Sequence, residues 1–160
     1  MTEENEKSQT DIDMNEDKYK SDSWIYSDVV KDHFFHPRNI LLDDSSYKFD
    51  GKGTSGSAVC GDMMIVWIKV NPETSRIAEC KWRTFGCASA IASTSMMSVM
   101  VTENNGMPLE EALNLKPQQI LERLGGLPDI KFHCSVLGHL ALREAVIDYM
   151  QKNQRNGNKK

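Results

Sequence analysis

The chain has 160 residues, enough for one domain with a real core, and its 39% hydrophobic and 26% charged content is ordinary for a globular protein. No apolar run reaches the roughly 18–20 residues of a membrane span, and residues 1–22 lack the apolar stretch of a secretory signal and the arginines of a transit peptide. Those 22 residues carry eight acids against three lysines, a net of −5, whereas the remainder carries fifteen acids and sixteen bases, a net of +1. The acidity therefore belongs to a solvated tail, and without a basic stripe the folded part is not expected to bind nucleic acid. A cytoplasmic protein is the expectation.

In chain order, the first element is a helix near residues 24–36, capped by Ser23 or Ser27, with Ile25, Val29, Val30 and Phe34 on its apolar face and Pro37 at its end. Residues 38–58 are polar and dotted with Gly51, Gly53 and Gly56, which reads as loop with one short strand. Met64, Val66, Ile68 and Val70 then alternate with outward positions, the period of a strand. Asn71–Ser75 carries turn residues, and a second strand follows with Ala78, Cys80 and Trp82 on one face and Glu79, Lys81 and Arg83 on the other. From Ala88 to Thr102 there is no charge, which reads as a buried helix.

Two short helices opened by Pro108 and Pro117 come next, and Gly125 and Gly126 end the second. After a linker at 127–132, the last helix is expected from about Ser135 to Met150, with Val136, Leu140, Ile147 and Met150 inward. The fold class is α+β: a small antiparallel three-stranded sheet packed against several helices. Residues 1–22 form the tail, 23–151 the domain and 152–160 a polar C-terminal tail.

The four cysteines, at 60, 80, 87 and 134, form no CxxC pair, so neither a zinc ribbon nor a disulfide framework fits. Cys80 alternates with core residues and reads as a small hydrophobe. The other three stand at loops and helix starts. Cys60 follows a glycine-containing loop, Cys87 follows Gly86 and opens the uncharged helix, and Cys134 precedes the last helix. Free N–H groups at a helix start stabilise a thiolate. Asp62, two residues beyond Cys60, projects to the same side of an extended chain, and His133 adds an imidazole beside Cys134. Thiolates mixed with a carboxylate and an imidazole hold iron or zinc less tightly than an all-thiolate cage, as suits a site that releases what it binds. His33 and His36, near a helix end where a cation suits the dipole, read as structural, and His139 on the last helix reads as a solvated residue. Met96, Met97 and Met100 read as core filler.

Three separated blocks of these residues resemble the IscU/NifU-type iron–sulfur cluster scaffolds over roughly residues 24–151. They are Tyr26-Ser27-Asp28-Val29-Val30 with His36-Pro37-Arg38-Asn39, then Ala58-Val59-Cys60-Gly61-Asp62 with Thr84-Phe85-Gly86-Cys87-Ala88-Ser89-Ala90, and finally Leu127-Pro128-Asp129-Ile130-Lys131-Phe132-His133-Cys134. The resemblance implies that Cys60, Asp62, Cys87, His133 and Cys134 hold metal or cluster, with Cys134 and Cys87 as persulfide acceptors and Lys131 near the site. It further implies a transient 2Fe–2S cluster built from iron and from sulfur supplied by a cysteine desulfurase, with zinc as another occupant of the resting site. Apo iron–sulfur proteins would accept the cluster, and the chain would be a scaffold rather than a turnover enzyme, as a monomer or homodimer. Many members also work with a DnaK-type chaperone and its J-protein. Here that recognition segment is altered, with Asp129 standing where the family has a second proline. The other reading is a zinc-dependent sulfurtransferase of SufU type. That group carries an insert between the second and third cysteine blocks and lacks the histidine before the last cysteine, whereas this chain has His133 and no room for the insert.

Overall fold

The structure, a computed structural model, describes residues 26–56, 61–127 and 132–158, without the side chains of 132–135. Eight elements follow in order: α1 (Asp28–Phe35), β1 (Gly51–Gly56), β2 (Met63–Asn71), β3 (Arg76–Phe85), α2 (Ala88–Thr102), α3 (Leu109–Asn114), α4 (Pro117–Arg123) and α5 (Phe132–Gly157). The strands form one antiparallel sheet in the order β1-β2-β3. Helices α2 and α5 pack on it, α2 over β3 and α5 over β1 and β2. The α+β expectation is met. Among the described residues no helix is long and apolar enough to cross a membrane.

Alternation in β2 is as the sequence indicates, with Met64, Val66, Ile68 and Val70 buried. In β3 it changes phase. Lys69 pairs with Glu79 but Val70 pairs with Ile77, so Ala78 is the extra residue of a β-bulge. Ile77 therefore enters the core and Ala78, expected inward, is exposed. Trp67 lies on the other face yet is also fully buried, with the Lys52 and Arg83 cations 5.7 and 5.4 Å from its ring centre.

Helix α1 starts at Asp28, capped by Ser27, and buries Val30 and His33, while Val29 stays 40% exposed. Ser23 and Ile25 lie outside the described residues. Helix α2 has the bounds expected of the uncharged run, and its serines are buried because they find partners: Ser93 donates to Ala90 O, Ser98 to Ser95 O, and Ser95 meets His33. Pro108 is the N-cap of α3 rather than its first residue, and Pro117 opens α4.

Helix α5 extends beyond both expected ends. It starts at Phe132, so the backbone at Cys134 lies within its first turn, and it continues through Gly157 with residues 151–157 exposed. Its inner face is Leu137, Ala141, Leu142, Ala145 and Val146, and Leu140 is 40% exposed instead of inward. The reason lies in β1. Gly51 and Gly53 are buried, and a Cβ at Gly53 would stand 1.9 Å from Ala141 O, one at Gly51 2.2 Å from Ala145 O. Backbone rests on backbone there, and only the alanine face of α5 permits it.

Candidate functional site

Two chain segments of the expected site leave the sheet side by side. The last pair of the β2–β3 ladder joins Met63 to Phe85, so Asp62 and Gly86 stand opposite each other just beyond it. Gly61, at φ 71°, turns the chain into β2, and Asp62 is buried at 8% exposure. A Cβ at Gly86 would lie 3.2 Å from the Asp62 carboxyl carbon and 3.0 Å from both Thr84 Oγ1 and Ala90 Cβ. Glycine thus leaves room for the carboxylate beside the peptide that leads into Cys87. Cys87 is half-buried and is the N-cap of α2, extended at φ −77° and ψ 173°, and its carbonyl accepts from Ile91 N at 3.1 Å to begin the helix.

The third segment approaches along β1. Ser55 donates its hydroxyl to Leu137 O at 2.6 Å, and earlier along the strand Gly53 meets Ala141 and Gly51 meets Ala145. Strand and helix therefore run antiparallel in close register, and the end of β1 lies beside the start of α5. Cys60 and Lys131 lie outside the described residues, as do the side chains of His133 and Cys134. Among the described residues no three His, Cys, Asp or Glu side chains gather as a metal site, and Asp62 and Cys87 are the members of the expected set that are described there.

The remaining titratable candidates sort clearly. Cys80 is 1% exposed and burial pushes its thiol up to about 12, which suits a core residue and not a nucleophile or ligand. His33 is structural for a different reason than its place near a helix end. It is 6% exposed, its Nδ1 is 2.8 Å from Ser95 Oγ, and burial lowers its pKa, so the neutral ring is favoured. His36 is exposed and pairs with Asp32 at 3.3 Å. His139, expected in solvent, is half-buried with Nδ1 enclosed, and desolvation followed by the Arg143 charge lowers its pKa.

Sequence reasoning missed Gly86 as the residue that seats Asp62. In the sequence it stands only as the neighbour of a cysteine, because its role depends on a strand pairing between positions far apart in the chain.

A family model described as the NifU-like N terminal domain matches residues 25–156. The chain is 48% identical over 130 residues to the iron–sulfur cluster assembly scaffold protein IscU 1 of Archaeoglobus fulgidus, covering 81% of this chain and 79% of that protein. It is 46% identical over 134 residues to the iron–sulfur cluster assembly scaffold protein IscU of Aquifex aeolicus, covering 83% and 81%. The fold superimposes with a TM-score of 0.59 on a crystal structure of the N-terminal part of a nitrogen-fixing NifU-like protein from Brucella abortus, at 16% identity, over 79% of this chain and 94% of that one.

Proposed function

We propose that this chain, which belongs to the NifU-like N-terminal domain family, is a scaffold on which an iron–sulfur cluster is assembled and from which it is passed on. The observation that carries this reading is the buried Asp62 carboxylate seated on Gly86 beside Cys87, in a chain 48% identical to a named cluster scaffold.

In this reading the substrates are ferrous iron and persulfide sulfur from a cysteine desulfurase, and the product is a 2Fe–2S cluster. Cys60, Asp62, Cys87, His133 and Cys134 form the assembly site. Persulfide sulfur passes to Cys134 or Cys87 by thiol exchange, in which a thiolate attacks the outer sulfur and the desulfurase thiolate leaves. Two electrons from an external reductant then convert that sulfur to the bridging sulfide. A carboxylate oxygen among soft thiolates binds iron less tightly, so Asp62 is the ligand that keeps the product transferable to apo acceptor proteins. A scaffold of this kind carries its product and does not turn over like an enzyme.

The test is anaerobic incubation with ferrous iron, cysteine, a reductant and a cysteine desulfurase, followed by visible absorption and transfer to an apo-ferredoxin. A cluster chromophore that moves to the ferredoxin is expected. Asp62→Ala is expected to build a cluster that transfers several-fold more slowly, and equal transfer rates would remove that role. No chromophore, together with strong stimulation of the desulfurase by the zinc-loaded chain, would instead identify a zinc-dependent sulfurtransferase.

A further inference from the structure

Ser27 is bonded in two directions. Its hydroxyl oxygen accepts from Val30 N at 3.1 Å, the capping bond of α1, and its hydroxyl hydrogen goes to Leu124 O at 2.5 Å, 97 positions away. A hydroxyl can do both, having one donor and two lone pairs. Leu124 closes α4, and Gly125 and Gly126, at φ 74° and 94°, turn the chain out of that helix upstream of His133 and Cys134. A Cβ at Gly125 would stand 3.5 Å from Ser27 Cβ, so the turn itself lies against the cap. The neighbouring Tyr26 hydroxyl lies 3.1 Å from Ser89 Oγ, which is fully buried in the first turn of α2 beyond Cys87. One dipeptide therefore touches both the start of α2, beside Cys87, and the end of α4.

Helix α1 has only eight residues, and helices shorter than about 12–15 residues are marginal alone. Its order depends on its cap and its docking, and the cap is the same group that docks. We propose that Ser27 is a latch that couples the folding of α1 to the closed end of α4, so that the two form and open together. The latch does not rest on the scaffold reading.

Three variants of the full chain separate its two bonds. Ser27→Thr keeps donor and acceptor. Ser27→Asp keeps an acceptor for Val30 N, since aspartate caps helices well, but has no hydrogen for Leu124 O. Ser27→Ala loses both. Amide hydrogen exchange reads α1 through Val30 and Lys31, and the end of α4 through Gly125 and Gly126, whose amides close on Glu122 O and Leu121 O. Ser27→Asp is expected to leave α1 exchange near wild type and to speed exchange at Gly125 and Gly126 by about 3- to 10-fold, the factor of one neutral hydrogen bond. Ser27→Ala should speed both, and Ser27→Thr neither.

Wild-type exchange at Gly125 and Gly126 in Ser27→Asp would overturn the latch. If Ser27→Ala fails to fold, the comparison of Asp with Thr still decides. A chain that shows the whole expected pattern yet assembles no cluster would refute the scaffold reading and leave the latch standing.

Discussion

The two halves of the sheet are joined to their helices by opposite means. β2 and β3 give α2 and α5 a set of large side chains, among them Met64, Val66, Ile68, Ile77 and Trp82, none of them measurably exposed. Toward α5, β1 offers nothing larger than serine: Gly51 and Gly53, where no Cβ would fit, meet the helix directly, and Ser55 bonds to Leu137 O. One seam is held by volume removed from water, the other by closeness of fit. The first should break when atoms are taken away and the second when they are added.

The largest effect is expected at Trp82. The ring is fully buried and its Nε1 donates to Arg38 O at 2.7 Å, which also ties the chain after α1 to β3. Trp82→Ala should destabilise by about 3–5 kcal/mol, the range for emptying a large aromatic site. Urea denaturation checks this, with the denaturant slope required to stay unchanged so that the loss is one of stability alone. A loss below about 1 kcal/mol would mean that the site collapses around the gap and that volume is not what holds this seam.

On the other seam the smallest addition should do the damage. Gly53→Ala places a methyl where Ala141 O and Ala145 N already stand, so α5 must move away from β1, at a cost of about 1–3 kcal/mol or more. Gly157→Ala adds the same methyl in open space at the exposed end of the same helix and should change stability by no more than about 0.5 kcal/mol. If the two substitutions prove equal, the contact is looser than backbone on backbone.

The same contrast explains what could be read from the sequence. Burial by volume leaves a pattern, so the period of β2 and the charge-free length of α2 were legible. Burial by absence of a side chain leaves none, and β1 showed only as a polar, glycine-dotted stretch. The phase of α5 was misjudged at Leu140 for that reason: its alanines face β1, and alanine carries little hydrophobic signal. The bulge at Ala78 was invisible because it depends on the partner strand. Residues 152–157 read as a tail because they bury nothing, although glutamine, lysine and arginine are good helix formers. At the candidate site, the placement of Cys87 at the start of α2 was legible from Gly86 and the uncharged run that follows. The seating of Asp62 on Gly86 and the bond from Ser27 to Leu124 O were not, since each joins chain segments that only the folded topology brings together.

The smallest effect expected is on pH dependence, and it sharpens the contrast by giving the joint of α1 to α2 a weakness of its own. His33 joins α1 to α2 through Ser95, and around it the charges of Arg38 and Arg123 oppose protonation while Asp32 favours it. Burial is the largest influence and the net effect lowers the folded pKa below the ordinary 6.5. The unfolded chain therefore takes up a proton on this ring more readily than the folded one. The contribution of the neutral ring is fully present above pH 6.5 and is lost as pH falls through that value toward the lower folded pKa. His139 shifts in the same direction and adds to the slope. Between pH 7 and 5, amide protection should fall first in α1, while the β1 amides opposite α5 hold. His33→Gln keeps a hydrogen-bonding group but cannot titrate, so it should flatten the change in α1 and leave the part due to His139. Equal loss of protection in α1 and β1, in wild type and variant alike, would mean that acid opens the domain as a whole and that the joint of α1 to α2 is not independent of the glycine seam.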